Sequence, residues 1–365
     1  MCLAARRRRK FRDGGGRSRI AYFDNLKGVL IILVVVGHVV YPVSTSPHMF
    51  SMRAIDFIYL FHMPLFLFAS GLFARSVFKD GVMKASNVLY YALLSVILSI
   101  LLSVEKFLLG GAFSFNPFLL GGIPWYLMVL AFYLCAVPLF ASLKPPLALG
   151  ISIVASVASG YYEIGDMLAL SRAFVFLPFF LAGFYLGGVG LTAVLERMAR
   201  SGHMPVMRLV AIFVLAATAL MFFCFDAGEL SALRSLYSGR IPLAPIVDGL
   251  GFGNASIAPI LLRASYYIAV AIASAAIMVL IPRRGLGCLT TVGRNSLQVY
   301  FFHALVYYAF NAFALAAFLY GAMPSWVATA LLYLIGVAVA FALGMMPFLG
   351  IALEWVRRGV KRVVG

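Results

Sequence analysis

The strongest constraint on this chain is a series of ten apolar stretches, most near the roughly 20 residues that a helix needs to cross a bilayer. They fall at about 26–45, 55–78, 85–104, 123–141, 145–161, 173–188, 206–225, 258–281, 295–319 and 325–349, with charged or Pro/Gly-rich breaks between them. Of 365 residues, 64% are apolar and only 11% charged, where about 25% charged is usual in a soluble domain. A soluble fold of this size has too much surface to cover with so few charges. That excludes a soluble enzyme and a nucleic-acid binder, so the net charge of +17 needs another explanation.

Membrane orientation supplies it. With the N-terminus inside, only Arg53, Lys106, Arg172, Arg234, Arg240 and Arg263 of the 29 Lys and Arg fall on outer segments. The rest lie inside, where positive charge is retained. A span missed near the middle would make the two sides far more even. The expected fold is therefore all-α, a polytopic integral membrane bundle of about ten transmembrane helices with both termini cytoplasmic. Residues 1–20 form a basic tail that attracts anionic lipid heads or docks a partner. Residues 21–350 form the transmembrane domain, and 351–365 a basic cytoplasmic C-terminal segment. The apolar stretch after the basic start lacks a small-residue cleavage site, so it is expected to be a helix of the bundle and not a signal peptide. The longest connection, 226–257, is an outer loop that serves as a lid or as an inert link; its piece 249–256 is too glycine-rich for a helix. Cys2, Cys135, Cys224 and Cys288 are too scattered for a disulfide framework or a zinc site, and no metal is expected.

An ionisable side chain inside a span is costly unless it faces protein or water, which makes each one a site candidate. Three of five histidines qualify: His38, His62 and His303. Lys27 and His38 are eleven residues apart, three turns plus about 20°, so they share a helix face with a rise of about 16 Å. A cation at the cytoplasmic mouth thus stands below an imidazole expected at mid-membrane, with Gly37 allowing close approach. A histidine that merely hydrogen-bonds a neighbouring helix is the alternative. His62, on the antiparallel second span, is expected at a similar depth, so that both histidines face one cavity. In Phe61-His-Met-Pro-Leu-Phe-Leu-Phe-Ala-Ser-Gly71, Pro64 opens backbone groups and Ser70-Gly71 is a small-residue packing surface. Ser296, Tyr300 and His303 recur at i, i+4 and i+7 as a polar stripe, which either lines a substrate path or joins helices. Trp125 and Tyr126 open the fourth span as an interfacial belt would. Arg172 opens the sixth, as a snorkelling anchor or an acceptor-binding group.

Other chemistries lack their residues. Neither GxxxxGK[ST] nor GxGxxG occurs. Paired intramembrane carboxylates are missing, Asp56 and Glu105 being expected at span edges, and no inverted repeat is evident.

Three stretches resemble the acyltransferase 3 family, most closely its fucose 4-O-acetylase-like branch: Tyr22-Phe-Asp-Asn-Leu-Lys-Gly with Val-Gly-His38, Phe61-His-Met-Pro-Leu-Phe with Ser-Gly71, and Gly293-Arg-Asn-Ser-Leu with Tyr-Phe-Phe-His303. Pro124-Trp-Tyr-Leu127 and Leu177-Pro-Phe-Phe-Leu-Ala-Gly183 are weaker echoes. Lys27 stands where the family more often has arginine. The glutamate that many members carry in the span after the Trp motif is missing here. The resemblance implies a multi-pass enzyme of the cell inner membrane, active in polysaccharide modification. Such an enzyme moves an acyl group, often acetyl, from cytoplasmic acyl-CoA to a sugar or glycan hydroxyl. The acyl-CoA is a co-substrate, with no bound cofactor and no nucleic-acid partner. On that basis Lys27 and Arg19 meet the CoA phosphates. His38 acts as general base or acyl acceptor, assisted by His62. Trp125, Arg172, Ser296, Tyr300 and His303 line the acceptor side or the cavity. A transporter or flippase of a glycan-lipid or small solute would use the same cavity without acyl-CoA.

Overall fold

The computed structural model describes residues 21–364 apart from 46–47, 79–80 and 252–256. The basic tail 1–20, with Arg19, therefore lies outside the described residues. The chain begins with α1 (Ala21–Val40), prolonged by a 3₁₀ turn Tyr41–Val43, then α2 (Met49–Val77), α3 (Ala85–Leu108), α4 (Trp125–Ala141) and α5 (Pro145–Ser159). Next come α6 (Leu170–Val189), α7 (Leu191–Arg200), α8 (Met204–Met221), α9 (Ala227–Ser238) and α10 (Ala244–Gly249). The last third holds α11 (Ala258–Leu280), α12 (Cys288–Arg294), α13 (Ser296–Ala312), α14 (Leu315–Ala322), α15 (Ser325–Met345) and α16 (Pro347–Val364). The described residues contain no named strand, only an isolated bridge between Leu119 and Met167. This is an all-α polytopic membrane bundle.

Seven of the described helices are long and apolar enough to cross a bilayer, and α13 with α14, bent by 53° at a short break, makes an eighth. The ten apolar stretches of the sequence are all helical, but α4 and α5, with 17 and 15 residues, rise only about 25 and 22 Å. The hydrocarbon core is about 30 Å thick, so these two fall short of a full crossing by themselves. Five further helices come from shorter patterns, among them α12, the short turn of helix that leads into α13. Amphipathic α7 follows α6, α9 and α10 occupy the stretch expected to be an outer loop, and α16 carries the basic C-terminus. The boundary expected at residue 350 falls inside α16, which begins at Pro347 and packs on α3.

Between apolar helices in lipid, close packing of backbones replaces hydrophobic burial as the cohesive force. The largest helix–helix interface, α2 on α6, is built this way. A Cβ on Gly71 would collide with the Phe180 carbonyl, and one on Gly183 with the Phe68 carbonyl. Around α1 the same device recurs: Gly28 sits against the Leu289 carbonyl, Gly293 of α12 against the Asp24 carbonyl, and a Cβ on Gly336 of α15 would come within 2.9 Å of Val36 Cα. α1 is thereby clamped between α2, α12, α13 and α15.

Candidate active site

Two cavities enter the bundle from its opposite ends. One, called inner because it lies at the start of α1, is about 410 Å³ and is lined by Lys27 of α1, Arg294 of α12 and Arg357 of α16 with Tyr90, Ser296 and Tyr126. The outer one, about 250 Å³, holds His38 of α1, His62 of α2, Trp125 of α4, Arg172 of α6 and Arg234 of α9. Tyr300 of α13 lines both. Its hydroxyl donates to the Ile123 carbonyl and its ring lies 4.9 Å from that of Tyr126. These two tyrosines form the partition between the cavities.

At the inner mouth Asp24 organises the cations. Its buried carboxylate lies 3.4 Å from Lys27 Nζ and 3.5 Å from Arg294 Nε. Lys27 also stands 4.6 Å over the Phe73 ring. Asn25 donates to the Pro282 and Arg284 carbonyls, both at 2.8 Å, and accepts from Thr290 Oγ1 at 2.6 Å. One short run, Asp24-Asn25-Leu26-Lys27-Gly28, thus fixes two cations and seats the turn that leads into α12. Lys27 and Arg294 line the inner cavity together with Arg357, whose guanidinium lies 5.7 Å over the Tyr90 ring.

In the outer half the histidines share one local geometry. His38 Nδ1 lies 2.8 Å from the Val34 carbonyl and His62 Nδ1 2.9 Å from that of Ile58. His303 Nδ1 lies 2.7 Å from the Tyr300 carbonyl and 3.1 Å from that of Val299. A carbonyl can only accept, so each ring donates through Nδ1–H and keeps its lone pair on Nε2. The His303 ring centroid is 5.1 Å from that of His38, and His303 Nε2, buried, has no hydrogen-bond partner. His62 stacks at 4.9 Å on Tyr59. A neutral imidazole with a free Nε2 in a largely apolar cavity is chemically a base or a nucleophile.

Cations also frame the outer cavity. Arg172 is not a snorkelling anchor: only 7% exposed, it folds inward. It donates to the carbonyls of Ser238 at 3.3 Å, Leu120 at 3.3 Å and Gly121 at 3.1 Å. Its guanidinium lies 5.0 Å over Trp125. Trp125, flanked by Phe176 at 5.4 Å, lines this cavity. Arg234 descends from α9 to Asp56, with Nε–Oδ1 2.7 Å and Nη2–Oδ2 3.1 Å, and donates to the Ser44 carbonyl at 2.8 Å. Burial works against the Arg234 charge, but the Asp56 carboxylate outweighs it and holds its pKa above the usual arginine value. Asp56 is fully buried. At the mouth Arg240 pairs with Asp166.

The structure therefore brings His38, His62, Trp125, Arg172 and Tyr300 to one cavity, and Lys27, Ser296 and Tyr300 to the other. His303 stands behind His38. Lys27 and His38 share α1, but they do not share a cavity. The expected position of His38 at mid-membrane shifts toward the end of the first span, because that span runs Ala21–Val43 and so starts five residues earlier than expected. Asp24, Arg294, Arg357, Arg234 and Arg240 were not foreseen as site residues. Of these, Asp24 and Arg294 had a local signal, inside Tyr22-Phe-Asp-Asn-Leu-Lys-Gly28 and Gly293-Arg-Asn-Ser296. Among the described residues no three His, Cys, Asp or Glu side chains group closely enough to hold a metal ion.

A family model for an acyltransferase domain, acyltransferase 3, matches residues 20–345. No curated protein and no solved structure matches the chain.

Proposed function

We propose, from the premise that the chain belongs to the acyltransferase 3 family and is an acyltransferase enzyme, that it transfers acetyl from cytoplasmic acetyl-CoA to a sugar hydroxyl presented at the outer cavity. The observation that carries this proposal is the pair of opposed cavities meeting at Tyr300, one cationic and one lined by imidazoles. CoA is polyanionic, and Lys27, Arg294 and Arg357 offer charge-assisted hydrogen bonds to its phosphates. Its pantetheine arm then follows α1 toward the partition and delivers the thioester past Tyr300. His38 Nε2 takes the proton of the acceptor hydroxyl as that oxygen attacks the thioester carbon. The C–O bond forms, the C–S bond breaks, and the imidazolium returns the proton to the CoA sulfur. In the covalent variant, His38 Nε2 itself attacks the thioester carbon and CoA leaves as its thiolate; the sugar oxygen then attacks the acetyl carbon, the C–N bond to His38 breaks, and His62 Nε2 in the same cavity takes the hydroxyl proton and passes it to solvent. The partition favours this second order, since donor and acceptor need not be present together. Ping-pong kinetics distinguish it from direct transfer.

The fucose 4-O-acetylase-like motifs support a sugar as acceptor and an inner-membrane location, and the charge distribution supports cytoplasmic termini and ten crossings, with α4 and α5 as the two short ones. The test is transfer from radiolabelled acetyl-CoA by the purified full chain in nanodiscs, with mass spectrometry of surface glycans from cells with and without the protein. An acetyl increment that depends on the protein is expected. Transport of a solute with its mass unchanged and no need for acyl-CoA would overturn the proposal. Reporter fusions at Gly365 and within residues 230–250 should report opposite sides; same-side signals would refute the topology.

A further inference from the structure

The lining of the outer cavity is unbalanced in charge. It contains three guanidinium groups, from Arg172, Arg234 and Arg240, and among the described residues no carboxylate and no carboxamide. A neutral sugar offers hydroxyls that both donate and accept, and Asp, Glu, Asn and Gln are the side chains that take up both halves of that pattern. This wall is instead donor-rich and aromatic. It is suited to an acceptor that brings its own negative charge.

The three arginines differ in how their charge is met. Arg234 is held bidentately by Asp56 and Arg240 by Asp166, so each belongs to a neutral pair. Arg172 hydrogen-bonds no carboxylate. Its three partners are the carbonyls of Ser238, Leu120 and Gly121, which orient the guanidinium without cancelling its charge. Of its five N–H groups those bonds use three, and two remain. Arg172 lies near the start of its span, and the carboxylate close to it, Asp166, is paired with Arg240; burying a cation with no ion pair of its own is costly, so Arg172 is a poor choice for a purely structural prop. Its orientation is nevertheless fixed from three sides, by α9, by the loop before α4 and by the Trp125 face. A fixed guanidinium with spare N–H donors and an unspent charge is a carboxylate- or phosphate-binding group.

We propose that the acceptor is an anionic sugar, a uronate or a sugar phosphate. Its charged group pairs with Arg172, and a hydroxyl of the same ring then faces His38. This rests on the outer cavity being the acceptor site. Arg172 would thus set specificity and not take part in the chemistry. The cavity of about 250 Å³ lies below the roughly 300–1,000 Å³ of drug-sized pockets, so it encloses one ring and leaves the rest of a glycan outside.

The experiment uses the full chain in nanodiscs, and binding is measured first without acyl-CoA. The probes are methyl glucuronide, its neutral methyl ester, glucose 1-phosphate and methyl glucoside. The wild type should bind the uronate or the phosphate at least about tenfold more tightly than its neutral counterpart, the difference expected of one charge-assisted hydrogen-bonded pair. Preference for the uronate alone would assign a carboxylate, and for the phosphate alone a phosphoryl group. Arg172→Gln should bring charged and neutral probes to equal affinity, and Arg172→Lys should restore part of the preference. Equal affinities in the wild type would overturn the proposal. So would a preference that survives in Arg172→Gln. If Arg172→Gln does not purify, the wild-type comparison of uronate with ester still decides. Transfer of acetyl is then measured separately on the same probes. Anion preference without transfer from acyl-CoA to any sugar would refute the acyltransfer function at this site, whereas transfer without anion preference would refute only the role of Arg172.

Discussion

The Asp56–Arg234 pair offers a quantitative test of how the outer cavity is held together. Asp56 has a side chain 0% exposed and Arg234 one 15% exposed, and they are joined by two hydrogen bonds of 2.7 and 3.1 Å. Breaking a buried pair by removing one partner costs about 3–5 kcal/mol, because the survivor is left uncompensated. In Asp56→Leu, Arg234 retains its bonds to the Ser44 carbonyl and hydroxyl at 2.8 and 3.1 Å and some solvent, so the loss should sit near the low end, about 3 kcal/mol. In Arg234→Met, Asp56 keeps no side-chain hydrogen bond among the described residues, and the loss should approach about 5 kcal/mol. The double variant removes both charges and fills the space with apolar atoms, which is often close to neutral. The cycle should therefore yield a coupling energy well above the roughly 0.5–3 kcal/mol of ordinary neighbours. Reversible unfolding in mixed micelles, followed by helical circular dichroism, gives the four stabilities. Single variants within about 0.5 kcal/mol of the parent, or a double variant as unstable as the sum of the singles, would refute a buried, mutually dependent pair.

At the inner mouth, Lys27→Ala and Arg294→Ala should each raise the KM for acetyl-CoA roughly tenfold, the loss of one charge-assisted bond, with the acceptor KM unmoved; an unchanged donor KM would remove them from CoA binding. His38→Ala should lower kcat by about 10²–10⁴-fold while the bundle still inserts, and near-normal turnover by the folded variant would sink His38 as base or acyl carrier. Tyr300→Ala should open the partition, so that acetyl-CoA is hydrolysed without acceptor faster than by the wild type; hydrolysis no faster than wild type would deny the partition that role. Gly183→Ala should destabilise by about 1–3 kcal/mol as an overpacked contact, since its Cβ meets the Phe68 carbonyl, whereas Gly150→Ala in α5, with nothing within 4 Å, should stabilise by up to about 1 kcal/mol; equal thermal shifts would show that α2 and α6 are not locked by that contact.

The sequence made the long helices legible because a run of about 20 apolar residues has few other solutions. The short ones lacked that signal. α9 was nevertheless announced by Asp226-x-x-Glu229, which closes a capping box, Glu229 N–H to Asp226 Oδ1 at 2.8 Å and Asp226 N–H to a Glu229 carboxylate oxygen at 2.9 Å. Loop composition and the glycine run at 249–256 drew attention away from it. Helix periodicity placed Lys27 and His38 on one face, but the tyrosine that separates them comes from α13, and no pattern within α1 could report it. Pairings such as Arg234 with Asp56, 178 residues apart, and His38 with His303 depend on which helix faces meet. Local spacing does not contain that information.

What the clamped first helix contributes is a fixed length. Lys27 and His38 are separated by eleven residues of continuous helix, a rise of about 16 Å, and the helix cannot shorten or bend that interval without breaking its own hydrogen bonds. The glycines that let α12 and α15 reach its backbone also remove the freedom to slide, because Gly293 and Gly336 have no side chain to give way and the carbonyl of Asp24 and the backbone of Val36 lie against them. A donor anchored by its phosphates at Lys27 would therefore present its thioester at one height, set by α1 alone. Only side chains that can rotate stand in its path, Tyr126 and Tyr300. A rigid scaffold with a mobile partition concentrates the conformational change in those two rings, which keeps the base oriented by its bond to Val34 while the acyl group passes.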